Sequence, residues 1–230
     1  MQSPLLSLLG IAFAAIFLWL AWQTPRQSRI RKAARAGYFD QVAALFTDVT
    51  RRIEPTGFAR ISGRFGGLSY DLQAVPDTLT FRKLPALWVL LTQTEPLPLR
   101  ATLDVMARPT LHETFSNFGT LQDALPLPTG FPPDSSVRSD HARLAPPQDL
   151  LTRHSFLFTN PTTKELVLSP KGMRIVFLAE EADRGRYLLF REAEMGRTPL
   201  QADRLRPLLA ALQALRTDVL ETCANEATND

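Results

Sequence analysis

Residues 58–75 read FARISGRFGGLSYDLQAV, and this stretch decides the fold class because its side chains change character at every second position. Alternation of apolar and polar residues is the pattern of a half-buried strand. Gly66 and Gly67 stand between the two alternating runs, where a tight hairpin needs positive φ. The stretch therefore predicts two antiparallel strands. The alternating apolar residues of the second are Leu68, Tyr70, Leu72 and Ala74.

Three further strands are predicted directly after this hairpin. They are TLTFRK (78–83), ALWVLLTQT (86–94) and the alternating run 99–105. The segment from Trp88 to Leu91 is apolar on both faces, which is typical of a central, covered strand. Five short strands at this spacing predict an antiparallel meander over residues 58–106.

The second half of the chain follows a connection at 107–135 that is rich in Pro, Ser and Thr, with one helical turn expected at Leu121–Leu125. Over 136–223 the patterns predict a strand at Val137–Ser139 and a short helix at Pro147–Arg153. Four strands and a closing helix complete this half, and a frayed tail is expected at 224–230. The four strands are those around Phe156, KELVLS (164–169), MRIVFLAE (173–180) and RYLLFREAE (186–194), and the helix covers Leu200–Cys223. Whether the two halves form one sheet or two is left open.

The predicted fold class is α+β: an N-terminal transmembrane helix, then antiparallel β-meanders packed with an amphipathic N-terminal helix and a long C-terminal helix. Strands come in consecutive blocks, which argues against a βαβ nucleotide-binding fold. The amphipathic helix is predicted within a juxtamembrane segment, 26–57, because apolar residues recur there at three- and four-residue steps. Those residues are Phe39, Val42, Phe46, Val49 and Ile53.

Residues 1–25 are predicted to form a retained membrane anchor. The run from Leu5 to Trp22 carries no charge and, as a helix, would span about 27 Å, close to the thickness of a bilayer's hydrocarbon core. A secretory signal would need a basic start, a shorter apolar run and small residues at a cleavage site, and the sequence shows none of these. Residues expected to contact lipid include Leu5, Phe13, Phe17, Trp19 and Trp22.

Basic residues after this run predict the orientation. Cytoplasmic flanks of membrane helices carry an excess of Lys and Arg, and Trp favours the interface. The body is therefore expected in the cytoplasm, with the N-terminus outside the inner (plasma) membrane. The flanking residues are Arg26, Arg29, Arg31, Lys32 and Arg35.

The charge balance of the body argues against nucleic acid as a partner. Five of the 26 basic residues flank the anchor, so 21 basic residues remain against all 23 acidic ones, whereas a nucleic-acid-binding domain carries its own basic surface. The basic residues are mostly Arg, which indicates a GC-rich, bacterial genome. Cys223 is the single cysteine, which excludes internal disulfides and a cysteine zinc site.

A resemblance to known families rests on the run SVRSDHARLAPPQDLL (136–151), followed by strands and a Leu-rich C-terminal helix behind an N-terminal anchor. This layout resembles bacterial families of membrane-anchored domains of unknown function. It covers the C-terminal part of the chain and the anchor. The resemblance implies the architecture and transfers no catalytic residue.

Residue types that carry chemistry occur without the spacing that catalysis or metal binding requires. His112, His141 and His154 form no i, i+4 pair, and the consecutive Ser139-Asp140-His141 cannot converge as a triad does. SGRFGG lacks the Lys and the following helix of a phosphate loop. The acids at 180–194 are expected in a solvated loop and Cys223 as an ordinary thiol. We therefore expect no catalytic, cofactor or metal site.

The leading hypothesis is a non-enzymatic protein whose cytoplasmic domain binds another protein as scaffold, assembly factor or regulator. Arginines on neighbouring predicted strands suit carboxylate or phosphate groups of a partner, although they also fit a solvated sheet face. One alternative is a groove for a lipid or small ligand between the sheet and the C-terminal helix. Another is a hydrolase in which His141 or His154 faces Ser or Asp from another segment. The arginines are Arg60, Arg64, Arg82, Arg100 and Arg108.

Overall fold

The computed structural model describes residues 4–78, 84–110, 113–190 and 193–229. Its helices are α1 (Pro4–Ala36), α2 (Asp40–Ala43), α3 (Gln148–Arg153), α4 (Arg184–Phe190) and α5 (Ala202–Asn229). Its strands are β1 (Thr47–Ile53), β2 (Ala59–Phe65), β3 (Leu68–Asp77), β4 (Ala86–Gln93), β5 (Leu103–Ala107), β6 (Asp123–Leu125), β7 (Ser135–Ser139), β8 (Thr163–Ser169) and β9 (Gly172–Glu181). Short 3₁₀ turns occur at Phe118–Thr120, Ala142–Leu144 and Ser155–Thr159.

The strands form one nine-stranded sheet in the order β1-β2-β3-β4-β9-β8-β5-β7-β6. Every neighbouring pair is antiparallel. Pairing of β4 with β9 joins the two halves of the chain, so the halves share a single sheet. The α+β class with antiparallel strands and a long C-terminal helix is confirmed.

The predicted hairpin and the predicted central strand are both present. β2 and β3 pair through Phe65 opposite Leu68, and the turn residues Gly66 and Gly67 have φ of 57° and 81°. β4 lies between β3 and β9 and is largely buried on both faces, as its apolar sequence indicates. The fifth strand of the predicted meander does not pair with the strand before it in the chain. It is β5, which pairs with β7 and β8.

One face of the sheet is covered by helices. The apolar stripe of α5 packs into the main core together with Val42 of α2 and Leu150 of α3. Burial of each such side chain stabilises the fold by about 1.5–3 kcal/mol. Fully buried positions on α5 are Leu205, Leu209, Leu212, Leu215 and Val219.

The opposite face is covered only in part by the connection between the halves. A smaller apolar cluster forms there from Leu90, Met106 and Val176 of the sheet and from Phe115 and Phe118 of the connection. The ring of Phe115 lies 5.0 Å from that of Trp88 on β4. Beyond this cluster the same face carries polar residues, which form the groove described below.

The prediction of an amphipathic helix over Phe39–Ile53 is wrong beyond the first turn of that helix. Helix α2 covers only Asp40–Ala43, and the chain then enters β1, the strand at one edge of the sheet. Val42 and Phe46 are buried, whereas Val49 and Ile53 are 41% and 52% exposed. Pairing with β2 decides the conformation, and β-branched residues favour it.

Three shorter predictions are also wrong. Leu121–Leu125 forms no helical turn, because Asp123–Leu125 is strand β6 paired with β7. Residues around Phe156 form a 3₁₀ turn, and RYLLF lies in α4. Short apolar runs do not distinguish helix from strand, and no neighbouring strand pairs with either segment within the described residues.

Several helices and strands begin or end at residues other than those predicted. Helix α1 continues past residue 25 to Ala36, and α5 extends beyond Cys223 to Asn229 in place of a frayed tail. The last strand of the first half begins at Leu103 rather than at residue 99. Most of the strand predicted at 78–83 falls outside the described residues, as do Arg82, His112 and Glu192.

The anchor prediction concerns the N-terminal part of α1. The side chains at 1–8, 20, 21, 24 and 25 are outside the described set. Among the side chains that are described, no helix has a long enough apolar stretch to cross a membrane. Within the predicted anchor, Phe13, Phe17, Trp19 and Trp22 are exposed, and Leu5 belongs to the side chains outside the described set.

Candidate functional site: a polar groove across the sheet

Strand register places a row of polar residues across the partly open face. Ser62 lies opposite Asp71, Asp71 opposite Thr92, and Thr92 opposite Arg174. The row continues through Val167 of β8 to Asp104 of β5. Because directly opposed residues of antiparallel strands point to the same face, these side chains line one surface.

This row forms the floor of a groove made of two adjoining pockets. A pocket of about 360 Å³ lies over β2 and β3, and one of about 520 Å³ lies over β5, β8 and β9. Thr92 and Arg174 line both pockets, so the pockets adjoin. We call the two together the polar groove.

Arg60 and Asp71 form an ion pair at one end of the polar groove. Nε of Arg60 donates to both carboxylate oxygens of Asp71 at 2.9 Å, and Ser62 donates its hydroxyl to the same carboxylate at 2.9 Å. The hydrogen bond to Asp71 raises the pKa of the Arg60 guanidinium. Both charges are therefore held in place on the groove floor.

Arg174 occupies the middle of the groove on β9. Its Nε donates to Oγ1 of Thr92 at 3.2 Å. Its positive charge favours the ionised forms of Asp104 and Glu165 and so acts to lower the pKa of each. A cation is thus placed between the ion pair on β2–β3 and the acids on β5 and β8.

Asp104 and Glu165 form a buried carboxyl pair at the other end. Glu165 lies opposite Met106, two residues from Asp104, so the two acids are diagonal neighbours on one face. They are 3% and 0% exposed. Burial raises the pKa of Glu165 to about 7 and, with the adjacent Glu165 charge, raises the pKa of Asp104 well above its usual value.

The environment of the pair disfavours its ionised forms. Asp104 Oδ1 and Glu165 Oε2 are buried and have no hydrogen-bond partner among the described residues. A buried carboxyl group in such surroundings is more stable protonated than ionised. The hydroxyl of Ser116, from the connection, donates to Glu165 Oε1, so the connection closes over the pair.

A second buried charge pair lies beside the first. Lys164 Nζ is 2.9 Å from Glu113 Oε1, and both side chains are less than 10% exposed. Lys164 also donates to the carbonyl oxygens of Ala107 and Arg108, at 2.9 Å and 2.6 Å. These contacts fasten the start of the connection to β8.

The predicted partner-binding arginines are only partly brought together. Arg60 and Arg64 line the same end of the groove, and Arg64 Nη2 donates to the carbonyl of Gly67 at 2.7 Å. Arg100 lines a different pocket, and Arg108 donates to the carbonyl of Pro161 at 2.8 Å. Arg82 lies outside the described residues.

The histidines take separate positions. The backbone N–H of His141 donates to Ser139 Oγ at 3.0 Å, while Asp140 accepts from the backbone of Thr102 at 2.8 Å. These three consecutive residues therefore make local and strand-end contacts. Within the part of the chain that the structure describes, no group of three potential ligand residues could hold a metal ion.

His154 faces an acid from another segment, as the hydrolase alternative requires. Its Nε2 lies 2.8 Å from Oδ2 of Asp218 on α5. The other ring nitrogen, Nδ1, is buried without a hydrogen-bond partner among the described residues. The contact thus joins the residue after α3 to α5, and no serine, threonine or cysteine of the described residues is hydrogen-bonded to Nδ1.

A separate pocket lies beneath the C-terminal part of α5, where the ligand alternative places one. It measures about 310 Å³ and combines apolar walls, including Leu150 and Val219, with Arg100, Arg143 and Cys223. This lining suits a small molecule with an apolar body and an anionic group.

The acids and the arginine of the groove are not among the site residues predicted from the sequence. Asp104 and Arg174 are each flanked by apolar residues in a mostly apolar strand, and Glu165 follows Lys164 at the start of β8. A buried charged residue in such a strand is an informative signal, and it could have marked these positions. Their convergence depends on the pairing of β5 with β8 and of β8 with β9, which local patterns do not reveal.

Comparison of the chain with protein-family models, curated proteins and solved structures finds no match.

Proposed function

We propose that this chain is a single-pass, membrane-anchored protein whose cytoplasmic domain binds another protein through the polar groove. The observation that carries the proposal is the row of polar residues, with two adjoining pockets, across the face of the sheet opposite α5. The uncharged run Leu5–Trp22 and the basic residues after it support anchoring in the inner membrane with the N-terminus outside. The role proposed is that of a scaffold, assembly factor or regulator, with no catalytic step.

The dimensions of the groove suit an extended peptide. From β2 to β5 the sheet order includes five strand-to-strand steps, which amounts to about 24 Å at the usual strand spacing. An extended chain covers this distance with about seven residues. The partner segment therefore lies across the strands, over the polar row.

The charges of the groove indicate what that segment carries. Arg60 and Arg174 are half-buried guanidinium groups that line the groove, and the carboxylate of Asp71 lines it beside Arg60. A segment with both acidic and hydrogen-bonding side chains complements this arrangement, and guanidinium groups bind carboxylates in a two-pronged geometry. The specificity then comes from the spacing of the charges.

Site-specific photo-crosslinking in native membranes tests this function. A photoreactive amino acid at Thr92, in the middle of the groove, is expected to give a discrete crosslinked product. The same amino acid at Glu221, an exposed position on α5, serves as the matched control. Identical products from both positions, or no product from position 92, would contradict binding in the groove.

A second function is favoured by the pocket beneath α5. Arg100 and Arg143 at its rim and the apolar wall formed by Leu150 and Val219 support binding of a small amphiphilic anion. Titration of the purified full-length chain with a medium-chain fatty acid tests it. Saturable binding that Arg143→Ala weakens at least tenfold supports this function, and unsaturable binding contradicts it.

A further inference from the structure

Helix α4 exposes two consecutive leucines. Leu188 and Leu189 are 58% and 78% exposed, and Leu189 is the most exposed large apolar side chain of the described residues. Arg184, in the first turn of the same helix, is also exposed. A short helix that combines exposed leucines with basic charge is typical of a segment that lies in a membrane interface.

The segment that contains α4 is fastened to the C-terminal end of α1. The backbone N–H of Leu200 donates to the carbonyl of Tyr38 at 2.9 Å. Gly196 packs against Phe58 and Arg35, since a Cβ there would lie 2.5 Å from the Phe58 ring and 3.4 Å from Arg35 Cγ. The guanidinium of Arg35 is also 5.3 Å from the centroid of the Phe58 ring. The end of the domain that carries α4 is therefore the end from which α1 leaves.

The domain side of α1 comes close to the predicted membrane boundary. Ser28, Arg31 and Ala34 are half-buried along one side of the helix, whereas Arg29 and Ile30 are exposed. Trp22 precedes Ser28 by six residues, or about 9 Å of helix, a distance similar to the depth of the headgroup layer, which is about 5–7 Å.

The charges around α4 and α1 complement an anionic lipid surface. Within the described residues α1 exposes the basic side chains of Arg26, Arg29 and Lys32, which are attracted to an anionic leaflet. Helix α4 exposes Arg184 next to the exposed acids Glu181 and Asp183, so the charge attraction comes from α1. The exposed leucines of α4 add the apolar part of the interaction.

We propose that α4 docks into the anionic cytoplasmic leaflet, with Leu188 and Leu189 at the boundary between headgroups and acyl chains. This inference rests on the proposed anchoring of α1 and adds a second point of attachment. Two attachment points fix the orientation of the domain, so the polar groove is held at a constant angle to the membrane.

Lipid quenching of a fluorophore on the full-length chain tests this inference. In a Cys223→Ser background, the variant Leu189→Cys is labelled with the environment-sensitive fluorophore NBD and reconstituted into vesicles of phosphatidylcholine and phosphatidylglycerol. Lipids brominated on the acyl chain quench fluorophores that reach the apolar region. We expect blue-shifted emission and at least threefold stronger quenching than at the reference position Phe156→Cys.

Phe156 is a matched reference because it is also an exposed apolar residue, at 52%. Its neighbour His154 contacts Asp218 in the C-terminal half of α5, whereas the α4 segment adjoins the start of α5. A third label at Leu9→Cys reports on the anchor itself.

The outcomes separate the two proposals. Quenching at positions 189 and 9, with none at 156, supports both the docking of α4 and the anchor. Quenching at 9 but not at 189 overturns the docking of α4 and leaves the anchor standing. Quenching at 189 without quenching at 9 supports the docking and contradicts the anchor, and quenching at none of the positions contradicts both.

Discussion

Asp104 on β5 and Glu165 on β8 are diagonal neighbours on one face of the sheet, and the hydroxyl of Ser116 donates a hydrogen bond to Glu165. Two carboxyl groups this close cannot both be ionised in a buried site without a large cost. The pair therefore couples the stability of the groove to pH.

Stability is expected to fall between about pH 4.5 and pH 7. Glu165 keeps its proton in the folded state up to a pKa of about 7, whereas the unfolded chain releases it near 4.5. Over that interval the folded state binds more protons, so the free energy of unfolding decreases as pH rises. The decrease is on the order of 3 kcal/mol, and denaturant titration of the full-length protein in detergent at several pH values measures it.

Glu165→Gln tests this effect, because it retains a hydrogen-bonding group and removes the titration of Glu165, while the raised pKa of Asp104 remains. We expect the variant to reduce the dependence on pH, while Glu221→Gln, at an exposed position, leaves it unchanged. A Glu165→Gln protein with the original pH dependence would show that another group is responsible.

The Arg60–Asp71 pair is expected to contribute modestly to stability. The Arg60 side chain is 38% exposed and that of Asp71 13%, so solvent screens part of the attraction, and the coupling free energy should be about 1 kcal/mol. A double-mutant cycle with Arg60→Ala and Asp71→Ala measures it. The more exposed Arg52–Glu54 pair, with Arg52 at 71%, should give a smaller coupling. Equal coupling free energies for the two pairs would show that burial does not determine the strength of the ion pair.

The hairpin turn is expected to depend on the positive φ of Gly67. A Cβ at Gly67 would meet no atom within 4 Å, so Gly67→Ala tests backbone conformation alone. We expect a loss of about 1–2 kcal/mol in the free energy of unfolding. Gly119 also has open space and no positive φ, so Gly119→Ala should cost much less. Similar losses for both would contradict this explanation.

Arg174 is expected to matter for partner binding. Arg174→Gln removes the central cation of the groove while keeping a hydrogen-bond donor near Thr92. Crosslinking from position 92 should fall several-fold, and Arg206→Gln, an exposed arginine on α5, should leave it unchanged. An unaltered yield with Arg174→Gln would show that the partner does not use this charge.

Features with local causes were predictable from the sequence. The β2–β3 hairpin follows from alternation and from two glycines at the turn, and α5 follows from a long apolar stripe. β4 was recognisable as central because both of its faces are apolar. In each case the residues within one segment contain the whole signal.

Features that depend on distant pairing were not predictable. The apolar spacing from Phe39 to Ile53 suits a helix, yet pairing of β1 with β2 makes its second half a strand. The run at 186–190 is too short to reveal its period, so α4 was interpreted as a strand. The polar groove arises from the register of strands that lie far apart in the chain, so no single motif marks it.

Placement of the domain relative to the membrane is the central claim, because the proposed partner and lipid contacts both depend on it. In a Cys223→Ser background, Glu221→Cys and Gln2→Cys variants of the full-length chain are exposed to a membrane-impermeant maleimide in intact bacterial spheroplasts and again after permeabilisation. The account predicts that Cys at position 2 is labelled in intact spheroplasts and Cys at position 221 only after permeabilisation. Labelling of position 221 in intact spheroplasts would contradict it.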